Sequence, residues 1–286
     1  KKIVSASDKK EYGYDKLLIA TGGSPIFPPM KGSDKKGVFT LMTLDESKEI
    51  KKNLKGVKKA VVIGGGLIGM KAAEGLHEAG IKVAIVELAD RILSRILDEK
   101  GSRIFEAYLK DKGMDIITSD SVVEIAGTKK VTSVKLKSKK KIACNMVIMA
   151  IGVRPNLDVI KDSSIETKQG IIVDNKMQTK VPDIYAAGDV VQADDMLSGE
   201  KRVNAIWPLA YKQGRIAGAN MAGSNKLYEG GFAQNSLTVL GLSTISMGIV
   251  DPPSKNSYEV ITGSGKGKYS YKKFVFDKDT IIGGIF

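Results

Sequence analysis

The run Val61-Val62-Ile63-Gly64-Gly65-Gly66-Leu67-Ile68-Gly69 sets three glycines in the pattern G-x-G-x-x-G, behind an apolar stretch and ahead of a helix-patterned one. Such a loop can hold a pyrophosphate. Gly64 turns the chain out of the strand, Gly66 lets the backbone approach the phosphates, and Gly69 lets the next helix lie close to the sheet. The amino end of that helix offers an anion free N–H groups and a partial charge of roughly +0.5. A second glycine cluster, Gly263-Ser264-Gly265-Lys266-Gly267, has strand-like runs on both sides and no helix behind it, so it reads as a turn.

After Gly69, Ala72, Ala73, Leu76 and Ala79 recur at helical spacing, Gly80 is a cap, and residues 81–86 read as a second strand. Glu87 ends that strand, about 20 residues past the glycines, where a carboxylate can accept hydrogen bonds from ribose hydroxyls. Its charge would repel a 2′-phosphate, so the pattern favours NAD over NADP, although Arg91 is close enough in sequence to blur the preference. A plain glycine turn with a surface glutamate is the structural alternative. The strand, turn, helix, strand order argues against it.

The elements that must position this loop follow from the rest of the chain. At 286 residues and 42% hydrophobic content, two or three compact units are expected. No apolar run reaches the roughly 18 residues of a membrane span and no secretory leader pattern opens the sequence, so a cytoplasmic location and no membrane partner are expected. The single cysteine, Cys144, fits a reducing compartment. The formal charge of +13 is carried mostly by lysines spread over loops and strand edges, with clusters at 48–59 and 129–141. Nucleic acid would use such clusters, yet aromatics are only 6% and are not interleaved with them, so solvated faces are the better reading. A positive surface can also steer NADH or an acidic electron-transfer protein.

Residues 14–23 read as a short buried strand ending in a glycine turn, with Pro25, Pro28 and Pro29 as a stiff connection. Helical spacing appears at 44–54, 103–110 and 208–221, the last with proline in its first turn. Residues 122–142 alternate like hairpin strands, 146–151 form a buried strand, and 171–173 and 179–189 follow as strands, the latter ending in Gly188-Asp189. From 236 onward strands dominate, including 257–262, 269–276 and 280–286.

Four separated motifs stand in one order: Ala20-Thr21-Gly22, the fingerprint from Gly64, Ala150-Ile151-Gly152-Val153-Arg154-Pro155-Asn156, and Tyr185-Ala186-Ala187-Gly188-Asp189. Together they resemble the FAD-dependent pyridine nucleotide-disulfide oxidoreductase superfamily. The tract from Asn204 to Arg215 is most similar to the branch of NADH oxidases, rubredoxin reductases and nitrite reductase flavoproteins. The resemblance implies an α/β fold in which a Rossmann-like NAD-binding domain (27–152) is inserted in a partial FAD-binding domain (1–26 and 153–230). A partial α+β C-terminal domain (231–286) follows, of a kind that often contributes to a homodimer. It also implies cofactor positions. Asp189 matches the acid on a ribityl hydroxyl of FAD, Thr21 and Gly22 the turn along FAD, and Leu209 and Ala210 a helix start facing the flavin. Ile68 and Gly152 match positions along NAD. Each has a plain structural alternative, as core, turn or helix start.

Three departures qualify the resemblance. It places a first glycine fingerprint before Lys1 and a longer final domain after Phe286, so these residues are expected to be the central part of a longer protein. Cys144 does not match a family redox cysteine, and the sole histidine, His77, reads as helix surface, so no catalytic residue is assigned and no metal site is expected. Lys71 stands where many relatives carry glutamate, with Glu74 one turn away as a pairing partner. The expected function is hydride transfer from NAD(P)H to FAD and onward electron transfer to an unidentified acceptor. The alternatives are a non-catalytic NAD(H)-binding module and, ranked last, a nucleic-acid binder.

Overall fold

The computed structural model describes residues 2–252 and 258–286. They divide into two compact units: Pro25–Val153 with Gln234–Phe286, and Lys1–Ser24 with Arg154–Ala233.

The first unit is built on a parallel five-stranded sheet in the order Val38–Thr40, Met146–Met149, Lys59–Ile63, Lys82–Val86, Asp115–Ile117. Past the exposed Lys59 and Lys82 that open two of them, its central strands are apolar because both faces are covered. Side chains alternate between the faces at period two. Ala60, Val62, Ile85 and Ile148 pack with the helices, while Val61, Ile63, Val86 and Val147 face Val122, Ile125, Val134 and Leu136. The latter come from a three-stranded antiparallel meander, Val122–Ala126, Ser133–Leu136 and Lys141–Ala143, one strand more than a simple hairpin.

Among the described residues this unit has three α-helices: α1 (Leu44–Lys52), α2 (Leu67–Glu78) and α3 (Glu99–Asp111). A capping box starts α1, with Thr43 Oγ1 accepting from the Glu46 N–H and Glu46 Oε2 from the Thr43 N–H. The expected helix at 103–110 begins earlier, at Glu99, because Asp98 caps it by accepting the Gly101 N–H at 2.9 Å. The chain then returns as a separate antiparallel sheet, ordered Gln234–Val239, Leu242–Gly248, Thr280–Ile285, Lys272–Asp277, Glu259–Gly263. In the strand expected at 257–262, residue 257 lies outside the described residues. The Gly263 to Gly267 cluster follows a strand and enters no helix.

This second sheet holds the helices through polar bonds as well as through Leu237, Val239 and Ile285, which join the helix core. The Leu240-Gly241 turn, with φ of 50° and 92°, is a two-residue hairpin loop of the tight primed kind. Its Leu240 N–H donates to Glu74 Oε1 at 2.8 Å, and its carbonyl accepts the Tyr108 hydroxyl. Deeper in, Asp98 Oδ2 accepts from Lys273 Nζ at 2.9 Å and from the Tyr271 hydroxyl at 2.7 Å, with Asp98 7% and Lys273 6% exposed. Burial alone would push the Asp98 carboxyl up, but the Gly101 N–H, the Lys273 ammonium and the Tyr271 hydroxyl together hold it below its ordinary value.

The other unit pairs the strand Leu17–Ile19 in parallel with Ile184–Ala186. The strand expected at 179–189 is only these three residues long, because Thr179 Oγ1 turns back to accept the Val181 N–H and Asp183 adopts a φ of 65°. Helix α4 (Trp207–Met221), with Pro208 in its first turn, lies over a core that includes Ile19, Ile171, Met177, Tyr185, Ala186 and Ala217.

Removing one member of the buried pair leaves the other charge unpaired. Lys273→Ala is expected to cost about 3–5 kcal/mol in chemical denaturation. The double replacement Asp98→Asn with Lys273→Met keeps a capping oxygen and recovers a large part of that loss. Equal losses in the single and double variants would overturn this account.

Candidate functional site

The glycine loop leaves the strand Lys59–Ile63 under backbone constraint. Gly64 has a φ of 107°, and a Cβ there would collide with the Ala150 carbonyl. A Cβ on Gly69 would collide with the carbonyl of Gly64, so the helix sits directly on the turn. Gly66 differs from both. It is exposed, has an ordinary φ of −84°, and a Cβ there would meet no heavy atom within 4 Å. It is the N-cap of α2 and has no side chain with which to cap it, so the first-turn N–H groups of Leu67 and Ile68 have no side-chain partner.

Glu87 borders this loop. Its Oε2 accepts the Gly65 N–H at 2.5 Å and its Oε1 the Ala89 N–H at 2.8 Å. An ionised carboxylate has about four lone-pair sites, so capacity remains for hydroxyl donors. The Leu93 N–H donates to the Gly65 carbonyl at 2.8 Å, which folds residues 87–93 against the glycines. Between them, Arg91 sends Nη1 to Asp90 Oδ1 at 3.1 Å and Nη2 to Asp251 Oδ2 at 2.9 Å. Gly152 lies just past Ala150, and its carbonyl accepts the Ile26 N–H at 2.9 Å. Gly64, Gly66, Ile68, Gly69, Glu87 and Gly152 therefore gather at the carboxyl ends of adjacent strands, where open α/β sheets bind ligands.

The remaining candidates lie in the other unit. Thr21 follows one strand of the parallel pair and Asp189 follows its neighbour. Thr21 Oγ1 donates to the Asn156 carbonyl at 2.7 Å, and the Asn156 N–H returns a bond to the Gly22 carbonyl at 2.9 Å. Gly188, just before Asp189, would carry a Cβ 3.6 Å from that of Ala210, so Asp189 and the start of α4 are neighbours. Leu209 is buried; the Ala210 N–H already donates to the Ile206 carbonyl at 3.0 Å, and no side chain caps the helix. Burial alone raises the Asp189 carboxyl, and no cation offsets it. That is an uncompensated acid beside an uncapped helix start. The periodicity gave no sign of Gln213, which is buried and accepts the Gly188 N–H at 2.8 Å, fixing the turn before Asp189.

Cys144 is buried and its thiol is pushed up to about 12 by that burial, which suits a filler rather than a nucleophile. Lys71 pairs with Glu74 and reaches the Thr238 carbonyl at 3.2 Å. No group of three or more metal-ligating side chains occurs among the described residues. No described helix is long and apolar enough to cross a membrane.

Residues 1–214 match the family described as pyridine nucleotide-disulphide oxidoreductase, and residues 234–286 match the rubredoxin NAD+ reductase C-terminal domain. The chain belongs to the pyridine nucleotide-disulphide oxidoreductase family, which is FAD-dependent and uses NADH. It is 36% identical to the NADH-dependent phenylglyoxylate dehydrogenase subunit epsilon of Aromatoleum evansii, over 98% of this chain and 66% of that protein. It is 40% identical to an NADH oxidase of Methanocaldococcus jannaschii, over 74% of this chain and 48% of that protein. The chain thus spans from about half to two thirds of these two curated relatives. Among solved structures, an NAD-dependent persulfide reductase from A. fulgidus matches with a TM-score of 0.91 and 27% identity, over 99% of this chain and 56% of that one.

The glycines separate ligand from fold. Gly66→Ala is expected to leave the melting temperature nearly unchanged while weakening NADH binding by about tenfold or more, since a methyl group would occupy the open face. Gly69→Ala is expected to destabilise the protein itself. Comparable losses of stability in both would contradict this division.

The Asp189 carboxyl is raised in the folded state, so the unfolded chain releases its proton first as pH rises, and stability falls across the window from the unfolded value upward. Asp189→Asn is therefore expected to melt higher than the parent at neutral pH without FAD, the difference vanishing below an unfolded pKa of about 3.9. A lower melting temperature for the variant at neutral pH would refute the point.

Proposed function

We propose that this chain is part of a flavin-dependent oxidoreductase that takes hydride from NADH onto FAD and passes electrons to a second acceptor. The observation that carries this reading is the pairing of two unmet binding features: an open glycine cradle in one unit and an uncompensated strand-end carboxylate in the other. Both fit nucleotide cofactors. Gly64, Gly66 and Gly69, with the first N–H groups of α2, would hold the NAD pyrophosphate, and Glu87 the adenosine ribose. Ile68 and Gly152 would lie along the nicotinamide half. Asp189 would accept a ribityl hydroxyl of FAD, Thr21 and Gly22 would border it, and the uncapped start of α4 at Leu209 and Ala210 would favour negative charge on the ring. When bound, FAD supplies the hydride-accepting chemistry.

In this reading residues 1–26 and 153–230 form the FAD-binding domain, 27–152 the NAD-binding domain, and 231–286 a C-terminal domain suited to a homodimer interface. The acceptor is a small electron-transfer protein, in keeping with the rubredoxin reductase domain matched at 234–286. A cytoplasmic setting accords with a single cysteine held as a free thiol. Lys71 does not weaken the reading, because its ammonium is engaged by Glu74 and the Thr238 carbonyl.

The test uses the full-length protein reconstituted with FAD under anaerobic conditions. NADH is expected to bleach the flavin absorption, and NADPH to do so less effectively. NADH binding in calorimetry with no flavin reduction would favour a non-catalytic module, and failure to retain any flavin would sink the proposal.

A further inference from the structure

We propose that Asp251 is a specificity-determining residue that bars a 2′-phosphate from the dinucleotide site by holding the guanidinium of Arg91. This rests on the NAD-binding reading above. Arg91 stands four residues after Glu87, on the loop whose Leu93 N–H is bonded to the Gly65 carbonyl, so it borders the ribose end of the cradle. An arginine in that region can accommodate a 2′-phosphate. Here it is occupied on both terminal nitrogens, by Asp90 at 3.1 Å and by Asp251 at 2.9 Å, and its side chain is 17% exposed. Among the described residues its Nε–H is buried without a partner, and the fork is held there by its two carboxylates.

The charge balance follows. Asp90 and Asp251 against one guanidinium leave a net negative pair, and Glu87 adds a third carboxylate beside the glycine loop. A phosphate dianion entering there meets repulsion and finds no free donor fork. Both carboxylates are about half exposed or more, Asp90 at 60% and Asp251 at 52%, but Asp90 is the sequence neighbour of Arg91 whereas Asp251 reaches it from 160 residues away. Asp251 thereby gives a residue beyond the nucleotide domain control over which nicotinamide cofactor is used. Removing its charge while keeping its shape both lowers the local negative charge and releases one edge of the guanidinium.

The test measures binding of 2′,5′-ADP and of 5′-AMP to the full-length protein by calorimetry, with NADPH and NADH turnover as a second readout. Asp251→Asn is expected to tighten 2′,5′-ADP by roughly tenfold, the scale of one charge-assisted contact, while 5′-AMP stays within about twofold. Adding Arg91→Ala should erase the gain, and Asp251→Glu should keep the parent preference. Binding of 5′-AMP with an unchanged preference in Asp251→Asn overturns this inference alone. Binding of neither probe by the parent overturns the dinucleotide reading and this inference with it.

Discussion

Three backbone segments meet at Gly64 with no room for a methyl group: the end of the strand Lys59–Ile63, the start of α2 at Gly69, and the Ala150 carbonyl beyond the strand Met146–Met149. The seating of α2 on the parallel sheet depends on that approach. It brings the amino end of α2 to the carboxyl edge of the sheet and leaves Gly66 as the one position of the three where added bulk would face open space. The buried residues 60–63 and 83–86 of the two adjoining strands are all apolar, since a sheet covered on both faces has no polar side to offer.

Around that contact, polar interactions restrain what the hydrophobic effect would leave loose. Glu87 fastens the turn by accepting the Gly65 N–H, and Asp98 caps α3 while binding Lys273 and Tyr271. Buried ion pairs of this sort add little net stability compared with apolar packing, but they penalise any arrangement that separates the partners. Register between the helices and the second sheet is thereby specified. The Leu240-Gly241 turn adds a second restraint, through Glu74 and Tyr108.

Much of this was legible in the sequence, and for a local reason. Helical spacing after Gly69 and the apolar runs at 59–63 and 82–86 are short-range patterns, and they emerged as α2 and its flanking strands. The start of α3 was misplaced because Asp98 acts as a cap and as an ion-pair partner at once, and only the first role has a sequence signal. The strand at 184–186 was overestimated because Thr179 diverts the backbone before it. Gln213 and Asp251 carried no signal at all. Each works through long-range contacts, Gln213 on Gly188 and Tyr228 and Asp251 on Arg91, that periodicity cannot encode.

The order of the chain gives the Asp98 to Lys273 bond a consequence for biosynthesis. Its partners are 175 residues apart, and Glu74 lies 166 residues before Leu240. During synthesis at roughly 5–20 residues per second, Glu74 and Asp98 emerge about 8–35 seconds before Leu240 and Lys273. Through that interval the apolar faces of α2 and α3 and the Asp98 carboxylate await their partners. The fold built on the parallel sheet thus stays open on one side until the strands between Gln234 and Ile285 have been made.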